Sequence, residues 1–242
     1  MSDLIFHERV GLDGRRISPF SWRIRYALAH KALDAAIVPT RFADVDRIER
    51  LSGQRFVPIL EHDGQVIFDS WDIAMHLQIR FQDRPNLFGP PEGRGLARLY
   101  YVWCDMVLHP AIRRLIAADF LWCLDPGDRA YYRRTREAML GASLEEACAD
   151  RPRWTAEALA HFQVLERALR RDPFLCGETP AFADYLVFCA FQWARIGSPR
   201  DVLPQDDLPE MHRWRSAMIA LHDNLADRFG GYPAERSGPD GT

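Results

Sequence analysis

Ile17-Ser18-Pro19-Phe20-Ser21-Trp22-Arg23 runs straight into Ile24-Arg25-Tyr26-Ala27-Leu28-Ala29-His30-Lys31. A polar turn here feeds an amphipathic helix. Pro19 suits the first helical turn, where its missing N–H leaves nothing unpaired. Ser18 precedes it, with a hydroxyl that can cap the helix. The same hydroxyl can instead face an anion, because a helix N-terminus carries unpaired donors and partial positive charge. Read alone, the turn fits either role.

Outward from this stretch the pattern is mixed. Leu4-Ile5-Phe6-His7 reads as a strand, and Glu8 to Arg16, with Gly11, Asp13 and Gly14, as a loop. The helix after Ser18 is expected to reach about Leu33, with Trp22, Tyr26, Ala29 and Leu33 as its buried stripe. Ala35-Ala36-Ile37-Val38-Pro39 reads as a second strand, and strand–helix–strand in this order implies a parallel βαβ unit. Asp44 to Leu51 is a short helix stopped by Ser52-Gly53. Arg55 to Glu61 and Gln65 to Phe68 flank the turn signal Asp63-Gly64 and predict a hairpin. Asp69 is a fitting N-cap for the next helix, with Asp72 at the capping-box position.

Residues 83–95 are dense in Pro and Gly and mark a boundary. Beyond it the segments near 95–122, 127–148, 154–171, 182–196 and 208–228 have helical period. The expected organisation is an α/β domain over 1–84, a linker over 85–94, an all-α domain over 95–229 and a flexible tail over 230–242.

Composition narrows the function. Of 242 residues 27% are charged, with a formal net charge of -3, which offers nothing to nucleic acid or an anionic membrane. Arg113-Arg114 and Arg133-Arg134 alternate with apolar residues and read as solvated helix faces. The N-terminus is too short and polar for a signal peptide, and no run is long enough to span a bilayer. Cys104, Cys123, Cys148, Cys176 and Cys189 lack C-x-x-C spacing, which suits reduced thiols in a cytosolic protein. No metal-ligand pattern stands out.

Three places in the first half can act together. Ser18 offers its hydroxyl. Val57-Pro58 opens a strand; a cis bond there would turn the Val57 N–H and C=O outward toward an extended peptide, whereas a trans bond would leave an ordinary edge strand. Ser70 can present a hydroxyl and an N–H to a carboxylate, and Asp69 can face an amine, although both also fit plain caps.

With these motifs in order, the chain resembles the glutathione transferase family. The matching features are the first strand, Ser18-Pro19-Phe20-x-Trp22-Arg23, Val57-Pro58, Asp69-Ser70, the linker and Gly177-Glu178-Thr179-Pro180-Ala181-Phe182-Ala183-Asp184-Tyr185. The resemblance implies a thioredoxin-like N-terminal domain and an all-helical C-terminal domain. The turn, Arg25-Tyr26-Ala27-Leu28, Arg136-Glu137, Leu140-Gly141, Leu144-Glu145 and Trp193 are most similar to the bacterial β-aryl etherase branch and related fungal enzymes. Ser21-Trp22-Arg23 also resembles the zeta class, which isomerises maleylacetoacetate, but Pro19-Phe20 stands where that class has Ser-Cys.

The resemblance assigns roles. Glutathione, as cosubstrate, would lie along Val57 and Pro58, with its γ-glutamyl carboxylate at Ser70, its amine near Asp69 and its glycine carboxylate on Arg55. Ser18 would hold the sulfur as thiolate, and Ser21, one turn on, is the alternative. A small hydrophobic electrophile, expected to be aromatic and with an aryl ether among the candidates, would bind between the domains. Phe20, Trp103 and Met106 are the candidate pocket wall, and His109 is a candidate general acid. A homodimer is implied. A glutathione-dependent isomerase and a non-catalytic binder of hydrophobic ligands are the alternative readings. One departure concerns folding: Ala181 stands where the family usually places a Ser or Thr cap, three residues before the buried Asp184.

Overall fold

The computed structural model describes residues 4–204 and 207–230. The first part is a four-stranded sheet in the order β2-β1-β3-β4. Strands β1 (Ile5–Arg9) and β2 (Ala36–Thr40) run parallel, while β3 (Ile59–His62) and β4 (Gln65–Phe68) form an antiparallel hairpin, with β3 antiparallel to β1. Pro39 sits on β2, an edge strand, where a missing ladder donor is tolerated.

Helix α1 (Pro19–His30) makes the parallel crossover. It is shorter than its apolar stripe suggests. Ala32 takes a positive φ of 49°, and Leu33 N donates to Leu28 O at 3.0 Å, so a left-handed turn closes the helix without a glycine. Trp22, Ile24 and Tyr26 are fully buried along it, each contributing roughly 1.5–3 kcal/mol by leaving water. Helices α2 (Val45–Ser52) and α3 (Ser70–Arg80) complete this half. At α3 the Asp69 carboxylate accepts from Trp71 N at 2.7 Å, and the cap is this single bond rather than a box with Asp72.

The second part is helical. Where one helix was expected over 95–122, α4 (Gly93–Trp103) and α5 (His109–Phe120) are joined by a π-turn over Cys104–Leu108. Pro110 is the cause we identify. A proline inside a helix has no N–H for the carbonyl four residues back and clashes with it, and a widened turn relieves both. The expected 127–148 helix also divides, into α6 (Pro126–Leu140) and α7 (Leu144–Ala149). Gly141, at φ 71°, stops the first and Ser143 caps the second, with Glu146 reaching back to the Ser143 N–H. Helices α8 (Arg151–Ala168), α9 (Phe182–Gly197) and α10 (Pro209–Asn224) follow. The expected tail, from 231 onward, lies outside the described residues.

α9 is buried along its whole length and packs against α1 and α4. Its N-terminus has no hydroxyl cap at Ala181. Asp184 compensates: it is fully buried and accepts from Ala181 N, Leu175 N and Trp214 Nε1 at 3.2, 2.8 and 2.9 Å. Tyr26 of α1 donates to Met218 O of α10 at 2.9 Å, so the helix that begins at Ser18 is seated on the C-terminal half.

Candidate functional site

The turn before α1 is fixed from behind. Trp22, fully buried, donates its indole N–H to Arg16 O at 2.6 Å. Ser18 is the N-cap, and its Oγ accepts from Ser21 N at 3.2 Å. A hydroxyl whose oxygen is thus engaged keeps its own proton for an outside acceptor. Ser21 points elsewhere. It is 1% exposed, its Oγ accepts from Arg9 N at 3.3 Å, and it lines neither of the cavities described below.

Two adjoining cavities meet at this turn. The first, about 530 Å³, is lined by Phe20, Gln54, Phe56, Val57, Pro58, Phe68, Asp69 and Ser70. The second, about 320 Å³, lies between the halves of the molecule and includes Ser18, Pro19 and Phe20. Phe20, Phe56 and Val57 belong to both.

In the first cavity the Val57–Pro58 bond is cis, and β3 begins only at Ile59. The Val57 N–H and C=O have no partner among the described residues, which leaves one rung of extended backbone open. Across from it stands the start of α3. Ser70 is buried and its Oγ accepts from Arg23 Nη1 at 3.2 Å, so its proton too can be donated outward. Asp69 holds a positive φ of 68° and accepts from Tyr101 OH at 2.7 Å. Burial and this bond to Asp69 push the Tyr101 hydroxyl well above its ordinary value, so it stays a donor.

Arg23 joins this groove to the helical half. It is fully buried, reaches Ser70, and pairs with Asp105 Oδ1 at 2.9 Å. Asp105 lies on the π-turn. Its carboxyl is held below the usual range: burial opposes ionisation, but His109 and the Arg23 guanidinium outweigh it. Nothing in the sequence pattern marked this link, because Arg23 sat on a helix face read only as a motif.

Arg55 does not join the groove. It is exposed, lies 3.7 Å from Glu49, and lines neither cavity. Gln54 lines it instead, its amide spent on Ser52 Oγ and on both backbone groups of Phe56. Trp103 and Met106 also fall outside both linings. Trp103 packs edge-on to Tyr100 at 6.0 Å, and Met106 is 73% exposed.

The second cavity is walled by residues that only the fold brings together. α5 contributes His109, Arg113 and Phe120; α6 contributes Tyr132, Arg136 and Met139; α9 contributes Trp193; Arg9 and Phe42 come from the sheet side. The spacings 109, 113, 120 and 132, 136, 139 each put three side chains on one helix face. Arg113 was expected on a solvated face and is corrected: it is half-buried, with its guanidinium 6.0 Å from the Trp193 ring. Phe120 lies so close to Gly197 that a Cβ there would strike its ring.

His109 is buried, with Nδ1 3.3 Å from Asp105 Oδ1 and its ring edge-on to Phe20 at 5.1 Å. Burial pushes its imidazolium down to about 4. It is therefore neutral at neutral pH and does not hold the proton that a general acid would give.

Comparison with known proteins agrees with this geometry. The family model described as "Glutathione S-transferase, C-terminal domain" matches residues 95–223, and "Glutathione S-transferase, N-terminal domain" matches 17–78. The chain is 25% identical over 221 residues to "Glutathione S-transferase U1" of Arabidopsis thaliana, covering 86% of this chain and 83% of that protein. In fold it is similar to the glutathione transferase GSTFuA3 of Phanerochaete chrysosporium, at TM-score 0.76 and 22% identity, covering 90% of this chain and 97% of the other. It is also similar to the glutathione S-transferase CsGST83044 of Ceriporiopsis subvermispora, solved in complex with glutathione, at TM-score 0.74 and 20% identity, covering 93% and 100%. The chain belongs to the glutathione S-transferase family, whose cosubstrate is glutathione.

Proposed function

We propose that this chain binds glutathione in the first cavity, ionises its sulfur at Ser18, and adds that sulfur to an aromatic electrophile in the second. The observation that carries this reading is the sharing of Phe20, Phe56 and Val57 between two cavities, with Ser18 lining the second, two residues before the shared Phe20. The open Val57 backbone suits the peptide; Ser70, backed by Arg23, suits the γ-glutamyl carboxylate; and Asp69 suits the amine. A thiol of ordinary acidity, about 8.5, is mostly protonated at neutral pH. A hydroxyl donor and the N-terminus of α1 both favour its thiolate.

The protein supplies no nucleophile of its own. For an aryl ether, the thiolate attacks the ether-bearing carbon, the carbon–sulfur bond forms, the carbon–oxygen bond breaks and a phenolate leaves. Aromatic walls and the etherase-like turn support that substrate class. An apolar stripe left exposed on α4 and the π-turn, Leu99, Val102 and Met106, supports assembly with a second copy. Free cysteines suit a cytosolic setting, and no described helix is long and apolar enough to cross a membrane.

The test is thiol consumption with glutathione and a panel of aryl ethers, aryl halides and isothiocyanates. Thioether formed in step with thiol loss is the expected result. Bound glutathione with no thiol loss across the panel would leave a binder, and product without thiol loss an isomerase.

A further inference from the structure

The second cavity is aromatic, but its charged groups are of one sign. Arg9, Arg113 and Arg136 line it, and no aspartate or glutamate does. Among the described residues none of the three forms an ion pair. Arg9 donates to the Arg41 carbonyl and lies over the Phe42 ring at 4.5 Å. Arg136 bonds only its neighbour Thr135 Oγ1, at 3.2 Å, and lies 5.2 Å from the Tyr132 ring. Asp128 and Asp44 are the carboxylates whose charge reaches Arg9. Both are engaged elsewhere, Asp128 by Phe42 N and Ala43 N and Asp44 by Arg41 N. Arg113 has no carboxylate opposite it, and its main charged neighbour is Arg136.

Buried and half-buried guanidinium groups of like charge, facing one cavity without a counter-charge, raise each other's energy until an anion enters. Burial first, and then the charge of Arg136, lowers the Arg113 guanidinium's affinity for its proton. Guanidinium forks also match carboxylates better than any other side chain does. The aromatic wall of Phe42, Phe120, Tyr132 and Trp193 suits a flat ring. At about 320 Å³ the space is roughly twice the ~150 Å³ that admits benzene, enough for one ring with substituents.

We infer that the electrophile taken by this cavity is an aromatic ring bearing a carboxylate, with the carboxylate held by Arg113 and Arg136 and the ring turned toward Ser18. The inference takes the electrophile's place from the transferase reading, and adds the charge of the substrate.

The test compares 4-chloro-3-nitrobenzoate with 4-chloro-3-nitrobenzamide, which differ in charge at the group opposite the leaving chlorine. In both, the glutathione thiolate forms a carbon–sulfur bond at the chlorinated carbon and chloride departs. With kcat/KM divided by each compound's uncatalysed rate, the benzoate is expected to lead by about tenfold. In Arg113→Gln and in Arg136→Gln that preference is expected to fall toward one, through KM for the benzoate, and Arg113→Lys is expected to restore part of it. An equal or reversed preference in the unaltered protein, or a ratio untouched by either glutamine, overturns the inference while the transferase reading stands.

Should neither compound consume thiol, tryptophan fluorescence titration with 4-nitrobenzoate and 4-nitrobenzamide decides the charge preference by binding alone, and the transferase reading is left to the wider electrophile panel. Benzoate bound about tenfold more tightly upholds the anion site, and equal affinities overturn it.

Discussion

The two cavities that meet at Ser18 are built by opposite means. The first is made from chain ends and backbone: an open Val57 rung, the start of α3 and the start of α1. Ser70 within it, and Ser18 beside the Phe20 that both cavities share, each have the oxygen engaged inside the protein and a proton left to give. The second draws mainly on side chains along helix faces, aromatic rings around three arginines. A peptide of fixed structure can be held by fixed backbone, whereas a variable second substrate is selected by side chains that substitution can exchange without moving the fold.

That contrast is open to breaking. The largest expected effect is the share of acid stability contributed by His109 of the second cavity. His109 is neutral when folded down to about 4, while an unfolded histidine protonates at about 6.5. Below 6.5 the unfolded chain therefore gains a proton that the folded one refuses, and stability falls until about 4, where the difference saturates. Between pH 7 and 4.5 the loss from His109 is about 2–3 kcal/mol. Urea unfolding at the two pH values checks it: burial also holds His30, His76 and His222 below their ordinary value, so His109→Gln is expected to shrink the measured difference by about its own 2–3 kcal/mol share.

Next comes Ser70→Ala. Losing a donor to a carboxylate, and stranding the Arg23 fork that it satisfies, costs about 1.5–2 kcal/mol of glutathione affinity. Calorimetry should show Kd rising about tenfold or more, with the preference among electrophiles unchanged. Ser21→Ala is smaller. It leaves the buried Arg9 N–H without its acceptor and costs about 1 kcal/mol of stability, with no shift in the bound thiol's titration. Arg55→Ala is smallest: an exposed pair with Glu49 is worth within about 0.5 kcal/mol, and KM for glutathione should hold within twofold.

The same contrast explains what was legible in the sequence. The first cavity could be read because its parts are local. A serine before a proline, a valine before a proline and an Asp-Ser pair each declare a backbone event at one place, and their order supplied the rest. Arg55 was misplaced because adjacency to Val57 says nothing of direction: the chain turns at Gln54 to Pro58 and sends Arg55 outward. The second cavity was hidden because its residues come from separate elements. Trp103 and Met106 looked eligible on an unbroken helix, but neither lines a cavity: Trp103 packs on Tyr100, and Met106, on the π-turn, faces solvent. Arg113 looked like solvent-facing charge because it precedes Arg114. Counting by fours from His109, and again from Tyr132, would have found both arginines. The Asp184 repair of the alanine cap was foreseeable only in part: its acid was visible, but Leu175 N and Trp214 Nε1, which it also binds, were not.

The central claim is that the Ser18 hydroxyl keeps a bound thiol ionised. Titration of the ultraviolet thiolate band of bound glutathione, in the unaltered protein and in Ser18→Ala, tests it most directly. The account predicts an apparent pKa one to two units higher in the variant, worth about 1.4 kcal/mol per unit. Superimposable titration curves, with glutathione bound equally in both proteins, would contradict it.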